Sequence, residues 1–211
     1  MERQILAFGS DGKPVIRDLQ GRESSVPAVS SSDRRPGLVY LLLDCSGSME
    51  GDKLEQVKAG ALDFAQTAIR KGYLVGLIQF DSGARLVCEL TGQISLIASG
   101  VEKLFAAGNT DMAGALWIAF QKLMRQKGQR VVVVATDGYP SNTPHALQAA
   151  EQMKKDKIEI LAISTQDAHQ NFLGKIVSRK DLNLTVSGNN FRQGMEAMAK
   201  KLPVQSLEYK E

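Results

Sequence analysis

Asp44, Ser46 and Ser48 alternate along one short stretch, Asp44-Cys45-Ser46-Gly47-Ser48, so that every second side chain there could offer an oxygen. Carboxylate and hydroxyl oxygens are hard donors. A loop that turned them to one point would suit Mg²⁺, Mn²⁺ or Ca²⁺ rather than zinc or copper. Two downstream stretches carry the same chemistry. Gly108-Asn109-Thr110-Asp111 sets a hydroxyl and a carboxylate just before a run with helical period, and Asp137-Gly138 sets a further carboxylate at the end of an apolar run. Each stretch alone has a plainer reading. Serine-rich loops after strands mostly satisfy backbone groups, and Thr110 or Asp111 would serve as an ordinary helix N-cap.

The elements that must position these groups are legible from their periods. Leu38 to Leu43 is an unbroken apolar run, the pattern of a strand buried on both faces in a parallel sheet, and it stops at Asp44. Val131 to Ala135 is a second such run, followed by Thr136 and Asp137. If the two strands are neighbours, Asp44 and Asp137 converge in the crevice outside the strands' carboxyl ends, where open α/β sheets bind ligands. Leu54, Val57, Ala61, Phe64, Ala65 and Ala68 recur with helical period and predict a helix from about Lys53 to Lys71. Its amino end, with unpaired N–H groups and partial positive charge, follows the Ser46/Ser48 loop.

Tyr73 to Phe80 reads as the second strand. Asp81-Ser82-Gly83-Ala84 is too short for a crossover, so Arg85 to Leu90 must return antiparallel. Short amphipathic helices are expected at Ile94–Leu104 and Met112–Leu123, and Thr143-Pro144 opens another. Ile158 to Ser164 is a strand, Phe172 to Val177 a short helix and Leu182 to Val186 an edge strand; Phe191, Met195, Met198 and Leu202 mark the last apolar stripe. This alternation predicts an α/β, doubly wound, Rossmann-like open sheet of order 3-2-1-4-5-6, strand 3 antiparallel, with helices on both faces.

Composition bounds the rest. With 211 residues, 43% hydrophobic and 23% charged, the chain is long enough for one sizeable domain and a short extension. The main domain is expected over residues 37–202, with an extension at 1–36 and a tail at 203–211. In the extension, Ile5-Leu6-Ala7-Phe8 and Val15-Ile16 flank Asp11-Gly12, the signature of a small hairpin, which is expected to pack on the main domain. A linker is expected through Ser24-Ser25 and Ser30-Ser31-Ser32. The net charge of +3 has no concentrated basic stripe, so nucleic acid is not an expected partner. Cys45 and Cys88 read as buried free thiols, and His145 and His169 as surface residues. There is no apolar signal-peptide core after Met1 and no run long enough to span a membrane, which makes cytoplasmic the simplest location. Nucleophile-elbow, phosphate-loop and dinucleotide fingerprints are missing, so neither catalysis nor a small-molecule substrate is expected.

Taken together, the loops at 44–48, 108–111 and 136–138 resemble the metal-ion-dependent adhesion site of the von Willebrand factor A domain family, over roughly Gly37 to Leu202. The short hairpin after Phe80 and Pro140 shortly after Gly138 are similar to the family too. Ala162-Ile163-Ser164-Thr165 departs from it by lacking a glycine often found there. The resemblance implies Ser46, Ser48 and Thr110 as hydroxyl ligands of the metal, with Asp44 and Asp137 acting directly or through water. So few anionic ligands leave a cation with an open or water-filled position, which favours Mg²⁺, with Mn²⁺ or Ca²⁺ as alternatives. The implied function is a metal-dependent interaction module whose Mg²⁺ is completed by an Asp or Glu of a protein partner. A stand-alone intracellular microbial member working with an ATPase or other multiprotein complex is the implied setting. Two other readings stand beside it. A Mg²⁺-dependent phosphohydrolase would use Asp44 as nucleophile but would need an acid where Ser46 stands, and a metal-free structural domain would use these loops only as caps.

Overall fold

The two strands of the expected amino-terminal hairpin pair antiparallel, and a third strand joins them where a linker was expected. In the computed structural model, which describes residues 5–8, 14–17, 23–25, 35–187 and 190–205, β1 (Ile5–Phe8) pairs with β2 (Pro14–Arg17), and β3 (Glu23–Ser25) pairs with the other edge of β2. Ser24 and Ser25, expected in a linker, lie opposite Ile16 and Val15. The free edge of a hairpin offers a ladder of backbone groups that any residue with an N–H can join, whatever its side chain. The Asp11-Gly12 turn, Ser30-Ser31-Ser32 and the tail beyond residue 205 lie outside the described residues. Residues 1–35 and 36–211 are two separate compact units.

The second unit is built on β4 (Gly37–Asp44), every residue of which is buried. Its neighbours are β5 (Tyr73–Phe80), β6 (Ala84–Thr91), β7 (Arg130–Thr136), β8 (Glu159–Thr165) and β9 (Asn183–Val186), in the order β6-β5-β4-β7-β8-β9. Only the β5–β6 pair is antiparallel. This is the 3-2-1-4-5-6 arrangement, and β6 is the antiparallel edge that the short Asp81–Gly83 turn demands.

Both faces of the sheet are covered because β4 is apolar at every position up to Asp44. Val39, Leu41 and Leu43 point to one core, shared with Leu54, Phe64 and Ala68 of α1 (Asp52–Arg70), Ile97 of α2 (Ile94–Glu102) and Phe191, Met195 and Met198 of α6 (Phe191–Lys201). Leu38, Tyr40 and Leu42 point to the other, with Leu116 of α3 (Met112–Leu123), Met153 of α4 (Thr143–Lys155) and Phe172 of α5 (Gln170–Ile176). Gly76 lies beside Tyr40 in the β4–β5 register, and a Cβ there would fall 2.2 Å from Tyr40 Cε1. The Tyr40 ring therefore occupies the space a side chain at residue 76 would take.

Two surface expectations change. Cys88 is half-buried, because β6 is an edge strand with one partner; Cys45 is fully buried, and both thiols are free. His145 is exposed, but His169 is half-buried: it precedes α5 and stacks against Tyr139 with ring centroids 4.7 Å apart. Among the described residues, no helix is long and apolar enough to cross a membrane.

Candidate metal centre at the carboxyl edge of the sheet

The parallel register of β4 and β7 pairs Leu43 with Ala135, which sets Asp44 beside Thr136. Asp44 is fully buried, and both of its oxygens are engaged: Oδ1 accepts from the Ser46 backbone N–H at 2.9 Å and Oδ2 from the Thr136 hydroxyl. Burial pushes its pKa from 3.8 up to about 6; the hydrogen bonds from Thr136 and Ser46 oppose the rise, and the neighbouring Asp137 adds to it. Such a carboxylate is costly to keep charged without a cation nearby.

After Asp44 the chain turns through a 3-10 segment, Gly47–Met49, before α1 begins at Asp52. The turn brings Ser46 Oγ within 3.1 Å of Ser48 Oγ, and Ser48 donates to Asp137 Oδ1 at 2.7 Å. The other oxygen of Asp137 accepts from the ammonium of Lys53, in the first turn of α1. Asp137 is thus held between a hydroxyl from the first loop and a cation from the helix that follows it.

The second loop, at 108–111, is fastened by main-chain bonds. Ala107 donates to Cys45 O at 2.8 Å, Gly47 to Gly108 O at 3.0 Å and Asp111 to Asp81 O at 2.6 Å. Gly108 has φ of 67°, and a Cβ there would lie 2.1 Å from Ser82 Oγ, so only glycine fits this bend. Ser141 pins Thr110 on both sides, its hydroxyl accepting from Thr110 N at 3.3 Å and its own N–H donating to Thr110 O at 2.9 Å. Asp111 is the N-cap of α3, accepting from Gly114 N at 3.0 Å. Of the two capping candidates the chain uses the carboxylate, so the Thr110 hydroxyl has no capping role.

Gly138 shows that the loops converge. A Cβ on this residue would lie 3.5 Å from Thr110 Oγ1, 3.9 Å from Asp44 Oδ2 and 4.0 Å from Ser48 Oγ. One small gap is thus faced by an oxygen from each of the first two loops and bounded by the third. Ser46 and Asp137 join the same group through Ser48. Asp44, Ser46, Ser48, Thr110 and Asp137 therefore meet at the carboxyl ends of β4 and β7, while Asp111 is taken up by its helix cap. Among the described residues no cluster holds three or more His, Cys, Asp or Glu side chains. The group is two carboxylates with three hydroxyls, a set that suits a hard, partly hydrated divalent cation and not zinc-type thiolate or imidazole ligation.

Sequence reasoning missed the supporting groups. The sequence marks Lys53 only as a helix start, Thr136 only as the end of a strand and Ser82 only as part of a turn, and Ser141 belongs to none of its motifs. A lysine in the first turn after an Asp-x-Ser-x-Ser loop is the one signal available in advance.

A model described as the von Willebrand factor type A domain matches residues 39–201. The uncharacterised protein sll0103 of Synechocystis sp. is 30% identical over 158 residues, and human calcium-activated chloride channel regulator 4 is 28% identical over 124 residues. These alignments take in 64% and 54% of this chain, but only 37% and 13% of those proteins, so the chain spans a minor part of the curated relatives it matches. Among solved structures, the vWF domain of the type V pili tip protein Mfa5 from Porphyromonas gingivalis aligns over 78% of this chain and 94% of its own, with a TM-score of 0.71 at 12% identity. Proximal thread matrix protein 1 from the mussel byssus, solved with zinc in its MIDAS motif, aligns over 78% of this chain and 46% of its own, with a TM-score of 0.69 at 20% identity. At such identities the structural likeness concerns the fold.

Proposed function

The chain belongs to the von Willebrand factor type A family, and from that membership we propose that it is a divalent-metal-dependent protein-interaction module. Domains of this family generally mediate metal-dependent protein–protein contacts. In the proposed site, Ser46, Ser48 and Thr110 hold the metal with their hydroxyls, and Asp44 and Asp137 act directly or through water. Mg²⁺ is the proposed ion, with Mn²⁺ or Ca²⁺ as competitors. The observation that carries this reading is the gap at Gly138, faced by oxygens of Thr110, Asp44 and Ser48.

The bound cation would supply a Lewis-acidic position for a partner's carboxylate oxygen. What the chain contributes is charge balance and position. Its two carboxylates match a divalent charge without exceeding it, and the three neutral hydroxyls add none, so an incoming Asp or Glu meets no net negative field. Main-chain bonds fix Ser46 and Thr110 before any ion arrives, which limits the ordering cost of binding. The proposed partner is a protein presenting such an acid, in a cytoplasmic setting and within an ATPase or other multiprotein complex. A phosphohydrolase reading has less support, since both oxygens of Asp44 are engaged and Ser46 stands where a leaving-group acid is needed.

Titration calorimetry of wild type, Thr110→Ala and Asp44→Ala with Mg²⁺ tests the site. Heat of binding is expected for wild type alone, with both variants folded by circular dichroism. Equal Mg²⁺ affinity in all three proteins would refute the ligand assignment. Affinity capture in Mg²⁺ and in chelator then tests the role, and a partner retained equally in both would place the interface elsewhere.

A further inference from the structure

We propose that Lys53 is a tethered competitor for the metal: its ammonium neutralises Asp137 in the cation-free protein and must leave when a divalent cation binds. The inference rests on the metal-site reading above. Its basis is the pairing itself. Asp137 directly follows β7, which is buried from Val131 to Thr136, and its side chain is 2% exposed, so its charge needs a partner that water cannot supply there. Ser48 satisfies Oδ1, and Lys53 is the cation on Oδ2.

The two ends of this pair differ in freedom. Asp137 is fixed by strand β7, and by Ser48, whereas Lys53 rises from the first turn of α1 on a four-carbon stem and is 29% exposed. A cation held by Asp44, Ser46, Ser48, Thr110 and Asp137 would stand within a few ångströms of the ammonium, and like charges that close repel strongly in a site with little water. Of the two groups only Lys53 can withdraw, because its stem leads to solvent. Metal binding is then an exchange, with the dication entering as the ammonium swings out. Lys53 thereby balances the charge of Asp137 when no metal is bound, and it sets the metal concentration at which the site fills.

The test uses Lys53→Met, which keeps the stem's length and removes the charge, and Lys53→Arg, which keeps the charge, each in the full chain. Mg²⁺ affinity is measured by calorimetry, and thermal stability is measured in chelator. Competition predicts that Lys53→Met binds Mg²⁺ about tenfold or more tightly than wild type, since the ammonium no longer has to be expelled. The same variant should melt lower than wild type in chelator, because Asp137 loses its counter-charge, and Lys53→Arg should stay near wild type in both. Equal or weaker Mg²⁺ affinity in Lys53→Met, with wild type binding, would overturn the competition while leaving the metal site in place. An absence of Mg²⁺ binding in all three proteins would overturn the metal site and this inference together.

Discussion

Replacing Asp44 by asparagine should stabilise the metal-free protein while abolishing its response to metal. Asp44 is fully buried, and burial raises its pKa from 3.8 to about 6. The sign follows from proton uptake. Between those values the folded state holds a proton that the unfolded chain has released, so this group's contribution falls as pH rises through the window and is lowest above about 6. A shift of about two units corresponds to about 3 kcal/mol of penalty for the charged form at neutral pH in the absence of a cation. Asparagine carries no charge at any pH. Its oxygen can still accept from Ser46 N, but its amide would face the Thr136 hydroxyl, which now has to accept where it donated. That mismatch takes back about 1–2 kcal/mol, leaving a net gain of about 1–2 kcal/mol, or about 3–6 °C for a domain of this size. In wild type, Mg²⁺ at a hundredfold excess over Kd should add about 2.7 kcal/mol, and in the variant nothing. Thermal unfolding at pH 7.5, in chelator and in saturating Mg²⁺, measures both effects, and a chelator series down to pH 5 should show the gap between the proteins closing. A variant that melts below wild type in chelator at pH 7.5, or one that retains the Mg²⁺ shift, would refute the reasoning.

Gly138→Ala places a methyl group 3.5–4.0 Å from Thr110 Oγ1, Asp44 Oδ2 and Ser48 Oγ, ordinary contact distances for the fold but a filled gap for an ion. Its thermal stability in chelator should stay within about 0.5 kcal/mol of wild type, with Mg²⁺ binding lost by calorimetry. Gly76→Ala drives a Cβ to 2.2 Å from the fully buried Tyr40 ring and should cost about 3 kcal/mol in denaturant unfolding, with no direct effect on the site residues.

Local pattern dictates the frame of the fold. Two unbroken apolar runs, Leu38–Leu43 and Val131–Ala135, can be buried on both faces only as inner strands, and a turn as short as Asp81–Gly83 admits only an antiparallel return. Once these are inner neighbours of one sheet, the acids that end them must meet, and so Asp44, Ser46, Ser48 and Asp137 were readable before any coordinates. Thr110 was readable as a member of the group but not in its role, because Thr110 and Asp111 are equal capping candidates on paper. Only the fastening of that loop to Asp81 and Ser141 gives the cap to Asp111. The remaining features depended on tertiary structure for the same physical reason: each is a contact between groups distant in sequence, where local period carries no information. Lys53 meets Asp137 across 84 positions, Thr136 fixes Asp44 across 92, and β3 joins β2 through backbone groups that no side chain advertises. Local pattern decides which residues lie at the carboxyl edge of the sheet, and packing decides which of their oxygens remain free to hold an ion.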